Sequence, residues 1–217
     1  MMRSLAFVAA ALAGCLASPP DSLPSPDDGA DAAIAIDLVV SGGSSPTGTV
    51  GGPGGDDYGV PCPDRRFVTG LDGTNNGAGM TSVQAICSRF QLGLASDEIT
   101  HVDDVDGAPV IGDTDATDLA PIRCSTGLVA VGFHGSENDN ELVSHLQLSC
   151  AQLVWDGAAV VLSPSELTAE LGSPDDFATS DGLCAEGTVA GGIAGRVGLL
   201  IDAFRLDCFE VVARAAE

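Results

Sequence analysis

Chemical interest centres on a glycine and an aspartate near the end of the chain, in GLLIDAFRLDC, residues 198–208. The stretch alternates apolar and polar positions as a half-buried strand does, with Gly198 and Asp202 at its head. An aspartate there either hydrogen-bonds the backbone of a turn at the strand entry or presents its carboxylate to a ligand. The remaining reactive side chains do not group. His101, His134 and His145 have no metal-ligand spacing, and neither a Gly-x-Ser-x-Gly elbow nor a phosphate loop occurs. No catalytic constellation and no cofactor is expected. Carboxylates gather in VDDVD (102–106) and DGAPVIGDTDATD (106–118), and hard oxygen ligands in a flexible loop are what calcium takes. Their spacing is not that of an EF-hand loop, so a solvated acidic connection is the expected reading and no metal is assigned.

The formal charge is −23, and all eight basic residues are arginines. That balance argues against nucleic acid, whose binding needs clustered cations to displace counterions, and against adsorption to anionic lipid. A self-repelling, soluble surface accounts for most of it. At the N-terminus MMR is followed by the apolar run LAFVAAALA and by LAGC at 12–15. The run is too short to span a bilayer. A leucine, two small residues and a cysteine resemble the bacterial lipobox, which implies a signal peptide over 1–14 and a lipid on Cys15. The segment 15–33, rich in Pro, Ser, Asp and Ala, cannot offset its ordering entropy and reads as a disordered tether. The expected organisation is an exported domain over 34–217, held to the bacterial cell envelope, at the outer membrane or cell surface, by its lipid alone.

Six further cysteines in an exported chain suggest disulfides, and an internal repeat chooses among the pairings. CPDRRFVTGLDGTNNGAGMTSVQAIC (62–87), CSTGLVAVGFHGSENDNELVSHLQLSC (124–150) and CAEGTVAGGIAGRVGLLIDAFRLDC (184–208) align from their first cysteines, with internal spacings of 25, 26 and 24. Glycines stand eight residues on (Gly70, Gly132, Gly192) and eleven residues on (Gly73, Gly135, Gly195). Each unit reads as a short strand broken by the glycine run, a polar loop, and an alternating strand ending in cysteine. The two cysteines then sit on neighbouring strands of one unit, giving Cys62–Cys87, Cys124–Cys150 and Cys184–Cys208. Short apolar segments at 34–43, 108–113 and 158–165 precede the repeats or join them. PSELTAEL (164–171) has a helix-like capping sequence, read as a single turn inside a connection.

Three such units suit a closed all-β architecture, and two families share features with them. CPDRRFVTGLDG with its cysteine-ended strand is similar to the repeat of vitelline membrane outer layer proteins. GGPGGDDY (51–58) together with the last unit resembles jacalin-type lectins, which start with a glycine-rich run and carry a Gly-x-x-x-Asp sugar-binding loop. Both resemblances imply a β-prism, three four-stranded sheets about a pseudo-threefold axis, here stapled by disulfides. The second implies a sugar site between Gly52, Gly54 and Gly55 on one side and Gly198, Leu199, Leu200 and Asp202 on the other. Asp202 would accept hydrogen bonds from vicinal hydroxyls, with the Leu199 and Leu200 amides as donors. The corresponding segments Gly77 to Thr81 and Asn140 to Ser144 lack the acid. The motif is aromatic-poor for a sugar site, since a pyranose face prefers an aromatic platform. The expected function is non-catalytic binding of a glycan or cell-surface polysaccharide. The alternative is a structural or protein-interaction module of the cell envelope.

Overall fold

A computed structural model describes residues 35–105, 108–174 and 177–215, which form an all-β unit. The signal segment, Cys15, the tether and Asp106 of the acidic connection lie outside the described residues. Each repeat builds one antiparallel hairpin: Phe67–Asn75 with Met80–Gly93, Leu128–Glu137 with Val143–Trp155, and Thr188–Val197 with Ile201–Ala215. Each hairpin is widened to four strands by an outer strand on either side, interrupted in four of the six cases. In the first sheet these are Glu98–Val105 with Ile111–Gly112, and Thr117–Asp118 with Ile122–Arg123. In the second they are Val160–Leu167 with Leu171–Gly172, and Ala178–Leu183.

The third sheet takes its outer strands from the other end of the chain. Ala35–Pro46 and Val50–Gly51 lie against Ile201–Ala215, and Asp56–Pro61 lies against Thr188–Val197. The three four-stranded sheets make a β-prism closed by its N-terminal strands. Residues 35–38 also pair with residues 90–93 of the first sheet, stitching the two sheets together.

Two sequence expectations about the repeat need correction. The glycine run does not break the first strand of each unit. The strand continues through it, with a bulge at the same place in all three copies: between Val68 and Gly70, Ala130 and Gly132, and Ala190 and Gly192. Glycine is needed for closeness. A Cβ on Gly70, Gly132 or Gly192 would stand 2.5, 2.6 or 2.8 Å from a carbonyl oxygen of the neighbouring outer strand. The second correction concerns the disulfides. The pairings Cys62–Cys87, Cys124–Cys150 and Cys184–Cys208 are formed, with Cα–Cα separations of 5.6 to 5.8 Å. Yet each opening cysteine ends the outer strand of the preceding sheet, its amide bonded to Gly191, Thr69 or Val131 of that sheet. Each disulfide therefore ties one sheet to the next, third to first, first to second, second to third. Closing loops of this size contributes about 3 kcal/mol each in the chain-entropy model.

The helix-like PSELTAEL is also overturned: Val160–Leu167 is a strand paired with Val143–Trp155. Ladder hydrogen bonds to that strand outweigh a local capping preference, as tertiary context commonly does. The prism interior is filled from all three sheets by Leu71, Val83, Phe133, Leu146, Ile193 and Phe204, with Phe133 and Phe204 edge-to-face at 5.3 Å. Past each closing cysteine the apolar positions change parity, from 83, 85 and 87 to 90 and 92, and from 146, 148 and 150 to 153. With a side-chain period of two, the far halves of these long strands bury their other face. There Leu38, Val40, Phe67, Phe90 and Leu153 form a second core.

Candidate functional site

The glycine-rich segment and the head of GLLIDAFRLDC, about 150 residues apart in sequence, meet at the turn of the third hairpin. The cause is the closure just described. Val50–Gly51 pairs with Phe204 and Ala203, and the Gly52 amide donates to the Asp202 carbonyl and to the Glu141 carbonyl, each at 2.8 Å. Gly51 crosses the backbone of Asp202 so closely, at φ +95°, that any side chain would collide with the Asp202 carbonyl oxygen. The chain then folds over the Asp202 side chain. A Cβ on Gly54 would overlap Oδ1 of Asp202, one on Gly55 would stand 2.5 Å from Oδ2, and one on Gly198 3.1 Å from Oδ2. Three glycines thus form a cradle about one carboxylate. Its Oδ2 is buried and has no hydrogen-bond partner in the protein.

Gly52, Gly54, Gly55, Gly198 and Asp202, the residues the resemblance implied, therefore lie together in space. Leu200 closes the turn, its carbonyl accepting from the Gly198 amide at 3.0 Å, while the Leu199 side chain is 91% exposed at the tip. Sequence reasoning missed Arg196. Its Nε donates to the Gly54 carbonyl and its Nη2 to the Gly55 carbonyl, both at 2.7 Å, and its Nη1 reaches Oδ1 of Asp57 at 3.1 Å. One guanidinium thereby fixes the glycine segment that would otherwise have the most freedom. The signal was available: Arg196 stands twelve residues after its opening cysteine, where the other units have Thr74 and Ser136. Glu137, from the second hairpin, completes the anchoring by accepting from the Gly51 amide at 2.9 Å.

Tyr58 lies behind the cradle, its Oη donating to the Ala203 carbonyl at 3.3 Å. Burial pushes its phenol well above the usual range, against a smaller opposing pull from Arg205. Trp155 packs in the second core.

Elsewhere the fold groups side chains whose spacing gave no sign of it. His134 and His145 stack edge-to-face at 6.1 Å. His134 Nδ1 contacts Asp181 at 2.6 Å, and Glu170 stands 4.0 Å from His145 Nε2. His145 is only 3% exposed, and burial lowers its pKa, with Glu170 opposing that and His134 adding to it. In the acidic connection Asp103 pairs with Arg89 at 3.4 Å, and Asp104 with Arg123 and His101. Among the described residues no His, Cys, Asp and Glu cluster has the geometry to hold a metal.

No family model matches the sequence, and no curated protein matches it. Solved structures do. A banana lectin is 17% identical, with 77% of this chain and 99% of that chain covered at a TM-score of 0.47. A mannose-binding jacalin-related lectin of Ananas comosus is 14% identical, with 78% and 99% covered at a TM-score of 0.49. An agglutinin of Calystegia sepium is 12% identical, with 78% and 99% covered at 0.47.

Proposed function

We propose that this protein binds a carbohydrate, without catalysis, at the cradle formed by Gly52, Gly54, Gly55, Gly198 and Asp202. The observation that carries the reading is the Asp202 carboxylate, enclosed by three glycines with one buried oxygen lacking a protein donor. A buried acceptor left unpaired is costly, and a ligand hydroxyl supplies the missing donor. No side chain covers the carboxylate at these glycines, so a ligand hydroxyl reaches Oδ2 by displacing only the glycine backbone packed on it. The Leu199 and Leu200 amides, at the turn above Asp202, supply donors to the same hydroxyl pair. In this reading Arg196 is a positioning residue, holding the glycine segment and touching no sugar. A lipid on Cys15, with the domain displayed at the bacterial cell envelope, completes the proposal and suits a binder of surface polysaccharide.

A glycan array probed with wild type and Asp202→Asn tests it. Charge-assisted hydrogen bonds contribute about 1.5–3 kcal/mol each, so the amide, which keeps the shape, should bind at least about tenfold more weakly. Equal binding by the two proteins would remove Asp202 from the site. Radiolabelled palmitate incorporation, lost in Cys15→Ala, tests the anchor.

A further inference from the structure

A second site stands at the other end of the same strand. Asp202 and Arg214 mark the two ends of Ile201–Ala215, about 40 Å apart at a rise of about 3.3 Å per residue. Around Arg214 lies a cleft of about 490 Å³ lined by Asp37, Val39, Asp64, Arg65, Arg66, Arg89 and Arg214. That volume falls within the range of ligand pockets, roughly 300–1,000 Å³. Four of the eight arginines of a chain with charge −23 face this one cleft, against two aspartates. Self-repulsion among cations would scatter them over so acidic a surface, where carboxylates are plentiful.

The strand period explains part of the gathering. Leu38, Val40, Phe90 and Leu92 are buried in or beside the second core, so Asp37, Val39, Arg89 and Gln91 share the opposite face, with Arg214 cross-strand from Asp37. Arg65 and Arg66 come from the short 3-10 turn Pro63–Arg65 after Cys62. Here Asp64 and Arg65 hold φ of 50° and 57°, two consecutive left-handed residues without a glycine. Such conformations are costly and persist where the surroundings impose them, commonly at binding sites. They bring Arg65 to the rim of the cleft.

The guanidinium groups of Arg65, Arg66 and Arg89 are incompletely satisfied. Asp37 Oδ2 is 3.5 Å from Arg66 Nη2, and its Oδ1 is taken by Gln91. Arg66 Nη1 is buried with no hydrogen-bond partner, and Arg89 Nε has only the long 3.4 Å ion pair with Asp103. Arg65 is exposed and forms no ion pair among the described residues. Arg66 and Arg89 each have one long ion pair and donors to spare, and with Arg65 they bring planar N–H forks to one cleft, the donor set that binds tetrahedral oxyanions.

We propose that this cleft is an oxyanion site, taking a phosphate or sulfate group on Arg65, Arg66 and Arg89. It is independent of the carbohydrate reading. Calorimetric titration of the intact chain with inorganic phosphate or sulfate, against chloride at equal ionic strength, should show saturable binding and a raised thermal midpoint. Arg65→Gln, on the surface, should weaken phosphate binding about tenfold, that is about 1.4 kcal/mol, with the circular dichroism spectrum unchanged. Arg66→Gln/Arg89→Gln should abolish it, and Asp202→Asn should leave it intact. Sedimentation with phosphatidylglycerol vesicles distinguishes the sources: co-sedimentation lost in Arg65→Gln assigns the group to a lipid headgroup, and phosphate binding without co-sedimentation assigns it to a soluble anion. No binding beyond that of chloride, or equal binding by wild type and Arg65→Gln, overturns the proposal.

Discussion

The third hairpin shares one frame with its two sisters and departs from both at two facing positions. Twelve residues after the opening cysteine and six before the closing one, the first unit has Thr74 and Thr81, the second Ser136 and Ser144. These hydroxyls bond each other, at 2.6 Å and 3.1 Å. The third unit has Arg196 and Asp202 in their place. Arg196 turns outward to the glycine segment, leaving the aspartate with an unpaired buried oxygen. The loops diverge in the same direction. Asn75 and Asn76 accept from the Gly77 and Ala78 amides, and Asn138 accepts from the Asn140 and Leu142 amides. The sister loops thus satisfy their own backbones, as Asx turns do. In Gly198–Leu200 the polar groups that could do this are apolar side chains. Two loops satisfy their amides with their own asparagines, and the third leaves one Asp202 oxygen unpaired.

Five measurements would break or sharpen that contrast. Replacing any one cysteine pair by alanines should lower unfolding free energy by about 3 kcal/mol, nearly equally for the three pairs; unequal losses in denaturant titrations would place asymmetry in the frame itself. Gly54→Val should lower stability by about 2 kcal/mol through overpacking on Asp202 and abolish glycan binding. Ala78→Val, on the exposed tip of the first loop, should stay within about 0.5 kcal/mol of wild type.

Asp202→Thr, which installs the residue of the first unit, should lose glycan binding while stability holds or rises by about 1 kcal/mol, the gain expected when an unsatisfied buried group is removed. A marked loss of stability instead would make Asp202 a structural turn residue. The smallest effect is one of pH. His145 sits where the sister units have Ser82 and Ala203, and burial lowers its folded-state pKa. A histidine kept neutral by the fold stabilises fully above its unfolded pKa, about 6.5, and less as pH falls below it. Melting curves should show that decline, and His145→Gln should flatten it.

The parts legible in sequence were those set by local repetition. The alternation ending in cysteine, the glycine positions and the three pairings all follow from setting the units side by side, and so does the equivalence of Thr81, Ser144 and Asp202. What escaped was decided by partners distant in the chain. That each disulfide joins two sheets depends on where the outer strand of the preceding sheet ends, and the hairpin alone does not reveal it. The glycine run looked like a strand breaker because its cause, a carbonyl from another strand, is invisible locally. PSELTAEL carries a capping pattern that strand pairing overrides. Arg196 was readable from its register within the repeat, whereas His134 with His145, and the arginines at 65, 66, 89 and 214, are neighbours only through pairing registers.

The closure of the third sheet has a kinetic consequence. Ile36 pairs with Ala215 and Gly51 with Ala203, so the earliest described residues to leave the ribosome wait for nearly the last ones. Such non-local pairing makes a fold slow to form. The glycine cradle has one wall from each of these segments, and it does not exist until the two have paired. Formation of the cradle would then report that residues 51–55 and 198–203 have been brought together, with no half-built version of it along the way.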